Sequence, residues 1–121
     1  MKRFALMSLL GAAALGVAAP ALAHASLVKS DPRAGAVVHV GPKSITLSFN
    51  ERLVPAFSKF TVSMPAHHMD VSVKTTVSPD GKRIVGSLPS RLTAGAYQVT
   101  WTAAAADDGH KTTGQVNFKV G

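Results

Sequence analysis

The chain has 121 residues, no cysteine, and 13 Lys+Arg against 6 Asp+Glu, for a formal net charge of +7. Without cysteine, disulfide stapling, thiolate metal ligands and a cysteine nucleophile are all excluded. The basic residues beyond the N-terminus are scattered, with only Lys82 and Arg83 adjacent, and no Arg-rich helix or aromatic platform accompanies them. That argues against nucleic-acid binding and for an ordinary solvated surface.

Met1, Lys2 and Arg3 form a positive start, and residues 4–19 are an almost unbroken apolar run. Ala21, Leu22 and Ala23 follow as a small-x-small cleavage pattern, so residues 1–23 are predicted to be a signal helix removed after Ala23. The apolar run is short for a membrane span, which needs about 20 residues. Nothing later is apolar for that long, so no transmembrane segment is expected after processing. Cuts after Ala21 or Ala25 would expose Leu22 or Ser26 instead, but they match the cleavage pattern less well. The predicted mature chain starts at His24 and has 98 residues (121 less 23), enough for one core. Losing Lys2 and Arg3 leaves 11 Lys+Arg against 6 Asp+Glu, a net charge of +5.

The mature region, 24–121, reads as strands between turns. Residues 44–49 alternate strictly, with Ile45, Leu47 and Phe49 on one face. Phe60, Val62 and Met64 repeat the pattern, as do Val71 and Val73, then Tyr97, Val99 and Trp101, then Val116, Phe118 and Val120. Shorter candidates are residues 26–29, 37–40 and 83–88. Turn signals separate them: Asp31-Pro32, Gly41-Pro42, Pro79-Asp80-Gly81, Pro89 and Thr93-Ala94-Gly95. Asp80-Gly81 between alternating runs predicts a hairpin, because both residues tolerate positive φ. A helical turn is expected near residues 54–57, limited by Pro55. About seven short strands without a long amphipathic helix predict an all-β, immunoglobulin-like antiparallel sandwich or Greek-key barrel.

Three places hold candidate metal ligands: His24, the run from Met64 through His67 and His68 to Met69, and Asp107-Asp108-Gly109-His110. His39 stands apart in a mostly apolar run and reads as structural. A histidine at position one is chemically distinct. Its α-amine and its ring Nδ1 can close a chelate on one metal, and the amine, titrating near pH 8, can lose its proton to a metal at neutral pH. Asp108 and His110 fall in a loop before the last strand, where Gly109 lets the backbone bend. Three nitrogens and one carboxylate oxygen suit Cu(II). An incidental terminal histidine and an ordinary Asp-Gly turn are the competing reading of each feature alone.

Four stretches together resemble the CopC family of periplasmic copper-binding proteins over essentially the whole mature chain. They are HASLVKSDP from His24, ITLSFNERL from Ile45, LTAGAYQVTW from Leu92, and Asp108-Gly109-His110 leading into GQVNFKV from Gly114. The resemblance implies a seven-stranded β-barrel or sandwich binding Cu(II) through His24, Asp108 and His110. Glu51 matches the family's strand acid near that site and becomes a candidate secondary partner, while Asp107 matches no ligand. Some relatives bind Cu(I) through a Met/His-rich loop at the far end of the barrel, since thioethers favour Cu(I). The corresponding residues here are Met64, His67, His68 and Met69, although Met64 also fits the apolar face of its strand. The resemblance further implies a periplasmic carrier or buffer serving copper homeostasis or resistance, not an enzyme, with a CopD-type inner-membrane protein as partner. Two rivals are weighed against it. A copper-dependent polysaccharide oxygenase also starts with a chelating histidine, but is larger and carries an aromatic substrate surface. A metal-free immunoglobulin-like adhesion or assembly module explains the fold and leaves His24, Asp108 and His110 to coincidence.

Overall fold

The computed structural model describes residues 24–121; the predicted signal peptide, residues 1–23, lies outside the described residues. The strands are β1 (Leu27–Asp31), β2 (Val37–Val38), β3 (Ser44–Phe49), β4 (Lys59–Met64), β5 (Met69–Val71), β6 (Lys74–Val77), β7 (Arg83–Ser87), β8 (Gly95–Ala104) and β9 (Lys111–Val120). They form a four-stranded sheet in the order β1-β3-β7-β6 and a five-stranded sheet in the order β2-β9-β8-β4-β5. Every pairing is antiparallel except β2 with β9, which is parallel.

The period-two patterns decide which side chains meet between the sheets. Ile45, Leu47 and Phe49 of β3 and Ile84 of β7 face Phe60, Val62 and Met64 of β4 and Tyr97, Val99, Trp101 and Ala103 of β8. Val116, Phe118 and Val120 of β9 complete that core. Burial of such apolar surface, at about 25 cal/mol per Å², is the main favourable term in a domain without disulfides. The indole of Trp101 lies over Gly114 of the neighbouring strand, where a Cβ would come within 2.5 Å of the ring. Tyr97 closes the opposite end by donating its hydroxyl to the Thr93 carbonyl at 2.7 Å, a tether back to upstream backbone of the kind found in immunoglobulin-like sandwiches.

The sandwich follows the sequence expectation, with differences that have physical causes. The Val71–Val73 alternation is split: the chain leaves the five-stranded sheet after Val71 and enters the four-stranded one at Lys74, so one expected strand is two. The strand expected at residues 37–40 shortens to Val37–Val38, and β8 and β9 extend to ten residues each. The expected helical turn is present as the 3-10 turn Pro55–Phe57, and a second, Pro65–His67, joins β4 to β5. Of the nine strands among the described residues, β2 and β5 hold only two and three residues.

Candidate metal centre

His24 sits just before β1, at a sandwich end it shares with the β8–β9 hairpin loop, residues 105–110. Its position follows from the backbone behind it. The Ala25 side chain is 1% exposed and belongs to the core. The Ala25 carbonyl accepts the Thr112 hydroxyl at 2.7 Å. The Ser26 N–H donates to Asn50 Oδ1 at 2.7 Å, and the Asn50 N–H returns to the Ser26 carbonyl at 3.1 Å. A register shift between Leu27 and Lys29 turns the start of β1 out of the regular ladder.

The hairpin loop has its own support. The Ala105 N–H donates to the His110 carbonyl at 3.0 Å, and the Gly109 N–H to the Ala105 carbonyl at 2.7 Å. Gly109 takes φ +73°, the left-handed region that glycine enters at little cost. Segment 52–58 braces the loop from below. The Ala106 N–H donates to the Arg52 carbonyl at 2.7 Å, the Val54 N–H to the Ala104 carbonyl at 2.8 Å, and the Ala104 N–H to Ser58 Oγ at 3.0 Å.

These two supports bring the imidazoles of His24 and His110 together, although 86 positions separate them in sequence. The ring centroids are 4.3 Å apart and the planes 13° from parallel. Asp108 is exposed next to them, and its Oδ1 accepts the His110 N–H at 2.9 Å, closing an Asx turn about Gly109. Among the described residues no three His, Asp or Glu side chains converge as a metal-holding group. The structure thus joins His24 with His110 and leaves the Asp108 carboxylate on the loop backbone. Imidazole lone pairs lie in the ring plane, whereas these rings meet face to face. Sharing one ion therefore requires each ring to swing about its side-chain torsions.

The other candidates fall elsewhere. Glu51 is half-buried in a neighbouring cleft of about 450 Å³ with Asn50, Arg52, Lys82, Ala106 and Asp107, a wall of mixed charge. Met64 and Met69 are direct cross-strand partners at the β4–β5 turn. Met64 is nevertheless 9% exposed and packs within the core, while Met69 is 53% exposed. His67 and His68 are exposed on that turn, His68 with φ 51°. His39 is exposed, its Nδ1 3.3 Å from the Gly121 carbonyl oxygen. Trp101 and Tyr97, at 6% and 3% exposure, are core residues, and Phe57 is the large aromatic left at the surface among the described residues, under the Lys111 ammonium. Sequence reasoning passed over Asn50, Ser58 and Thr112. A polar residue directly after a strand and a hydroxyl on its inward side were the available signals, and both are common in strands that hold nothing.

A family model described as the CopC domain matches residues 27–121. The chain is 42% identical over 115 residues to copper resistance protein C of Pseudomonas syringae pv. tomato, covering 90% of each. It is 37% identical over 119 residues to copper resistance protein C of Escherichia coli, covering 93% of each. The crystal structure of PcoC, a methionine-rich copper resistance protein from Escherichia coli, superposes with a TM-score of 0.74 at 35% identity, over 82% of this chain and all of that one. CopC from Methylosinus trichosporium OB3b superposes with a TM-score of 0.72 at 26% identity, over 80% of this chain and 93% of that one. Matched from β1 to its last residue and aligned over nearly full length with these relatives, the chain belongs to the CopC domain family.

Proposed function

We propose that this protein is a copper-binding carrier or buffer of the periplasm, serving copper resistance or homeostasis and catalysing no reaction. The observation that carries the reading is the meeting of His24 with His110 across 86 positions of chain, in a family whose named relatives are copper resistance proteins. Once the peptide bond before His24 is cut, its nitrogen becomes an amine beside its own imidazole. Amine, His24 ring and His110 ring then supply three nitrogens, and Asp108, by turning from the loop backbone, supplies an oxygen. That set suits Cu(II) in a tetragonal field. Glu51, half-buried in the adjoining cleft, is the acid nearest in kind to a fifth, weaker partner. Until cleavage the same nitrogen is an amide, so the precursor lacks the chelate. The carrier would hand its cargo to a CopD-type inner-membrane protein or accept cargo from one.

Processing after Ala23 is part of this proposal, because any other cut removes His24 from position one or leaves it acylated. The rival oxygenase is disfavoured by the burial of Trp101 and Tyr97, which leaves Phe57 as the surface aromatic among the described residues. A carboxylate among the ligands also stabilises Cu(II) over the Cu(I) that oxygen activation needs. At the Met64–Met69 turn, the burial of Met64 leaves Met69 as the accessible thioether, too thin a donor set to assign a Cu(I) site.

The test is a Cu(II) titration of the chain beginning at His24 against the same chain extended by one alanine. Extension is expected to weaken binding by more than the roughly 10–100-fold typical of losing an outer-shell partner. Equal affinity of the two chains removes the amine from the site. Peroxide production with ascorbate by the copper-loaded protein, at rates above free copper, would favour the enzyme instead.

A further inference from the structure

We propose that Thr112 and Asn50 are positioning residues that clamp the Ala25–Ser26 backbone and so aim the mature terminus at His110. The inference rests on the copper reading above and goes beyond it, since neither residue carries a donor that reading uses. A chain terminus frays unless it is tied down, and a ligand at position one has no residue before it to hold it. Among the described residues the hold comes from behind. The Thr112 hydroxyl donates to the Ala25 carbonyl at 2.7 Å, and the Asn50 amide oxygen accepts the Ser26 N–H at 2.7 Å. The Asn50 N–H then closes a two-point contact on Ser26 at 3.1 Å.

The two anchors come from different sheets. Asn50 directly follows β3, and Thr112 is the second residue of β9, two positions after His110. Thr112 therefore ties the terminal segment to the strand that directly follows the other imidazole, and one short backbone path links the two rings. Ala25, at 1% exposure, adds a methyl group seated in the core. Among the described residues His24 alone lies before the clamp, half-buried against the His110 ring. A donor set held this way loses less freedom on binding than one on a loose tail, as oriented ligands do when outer-shell hydrogen bonds fix them.

The test uses the mature chain with Thr112→Val, which keeps the shape and removes the donor, with Thr112→Ser, which restores the donor, and with Asn50→Ala. In copper-free protein, NMR reads the ring-current shifts of the His24 and His110 protons and the exchange protection of the Ser26 amide. Thr112→Val and Asn50→Ala are expected to lose both, and Thr112→Ser to retain them, with Trp101 fluorescence showing an intact core in all three. Cu(II) affinity is expected to fall by about tenfold in the two disruptive variants, the lower end of the range for an outer-shell partner, and to recover in Thr112→Ser. Unchanged ring shifts and Ser26 protection in Thr112→Val would overturn the clamp. Lost shifts with unchanged affinity would overturn its role toward the metal. Failure of the copper reading itself has a different signature: His110→Ala would bind Cu(II) as tightly as the unmodified chain, while the copper-free NMR still decides the clamp.

Discussion

His110 is exposed, and the backbone bonds about it run through main-chain atoms rather than its ring. His110→Ala is therefore expected to change unfolding stability by no more than about 0.5 kcal/mol, as surface substitutions do, while sharply weakening Cu(II) binding. Calorimetric melting without metal, beside a copper titration, checks both halves. A collapse in stability would place that imidazole in the core. Copper ligands must be deprotonated, so protons compete with the ion for nitrogen donors, and lowering pH from neutral to mildly acidic is expected to weaken its binding. Affinity that stays level across that interval contradicts nitrogen ligation. Asp80 titrates separately. Its carboxylate accepts the Ser78 hydroxyl and the Lys82 N–H, which hold it below the ordinary carboxylate range. A lowered folded value means the contribution to stability is complete above the unfolded value near 3.9 and disappears as pH falls through the lower one. Melting curves at stepped acid pH are expected to show that loss in the unmodified chain and not in Asp80→Asn; parallel curves would refute it. Because this lies well below neutrality, copper release cannot be credited to the Asp80 turn.

The β8–β9 hairpin shows what an element adds to its residues. Gly109 at φ +73° has nothing within 4 Å of where a Cβ would sit, so Gly109→Ala meets strain rather than collision. The left-handed cost of about 1–2 kcal/mol is expected to flatten the turn and pull His110 from His24, weakening copper binding more than melting temperature. If affinity is untouched, the loop geometry does not matter to the site. Gly86 of β7 is the opposite case: a Cβ there would lie 2.3 Å from Phe60 Cζ across the core. Gly86→Ala is expected to cost about 1–3 kcal/mol by overpacking, measurable in denaturant unfolding, with copper affinity little changed. A neutral result would mean the two sheets separate easily at that point. At this scale the sequence was legible where burial is one-sided. Ile45, Leu47 and Phe49, or Tyr97, Val99 and Trp101, announce their faces by alternation. The first half of β9 does not, because Thr112 and Gly114 take the inward places: one serves the terminus, and the other makes room for Trp101. The crossing of Val71–Val73 between sheets was hidden as well, since alternation persists through a change of partner.

Across the whole molecule, two sheets with one core carry the candidate site at one end and the Met/His turn between β4 and β5 elsewhere. Leu47, with no exposed surface, anchors that core, and Leu47→Ala is expected to cost about 2–5 kcal/mol. The pairing of His24 with His110 was not written in either motif alone. It emerged from four stretches in order, and the fold supplies its physical reason: β1 and β9 begin at the same end, so a terminus and a distant loop become neighbours. What stayed illegible was the support beneath, because Asn50 and Thr112 act through backbone contacts that no side-chain pattern advertises. The central claim is that a freed His24 amine holds Cu(II) together with its own ring and His110. Electron paramagnetic resonance of the exported, copper-loaded protein, with intact mass fixing its first residue, tests this most directly. The account predicts a chain starting at His24 whose tetragonal Cu(II) signal carries coupling to three nitrogens, one of them lost in His110→Ala. A first residue other than His24, or a signal that survives both His110→Ala and an added N-terminal alanine unchanged, would contradict it.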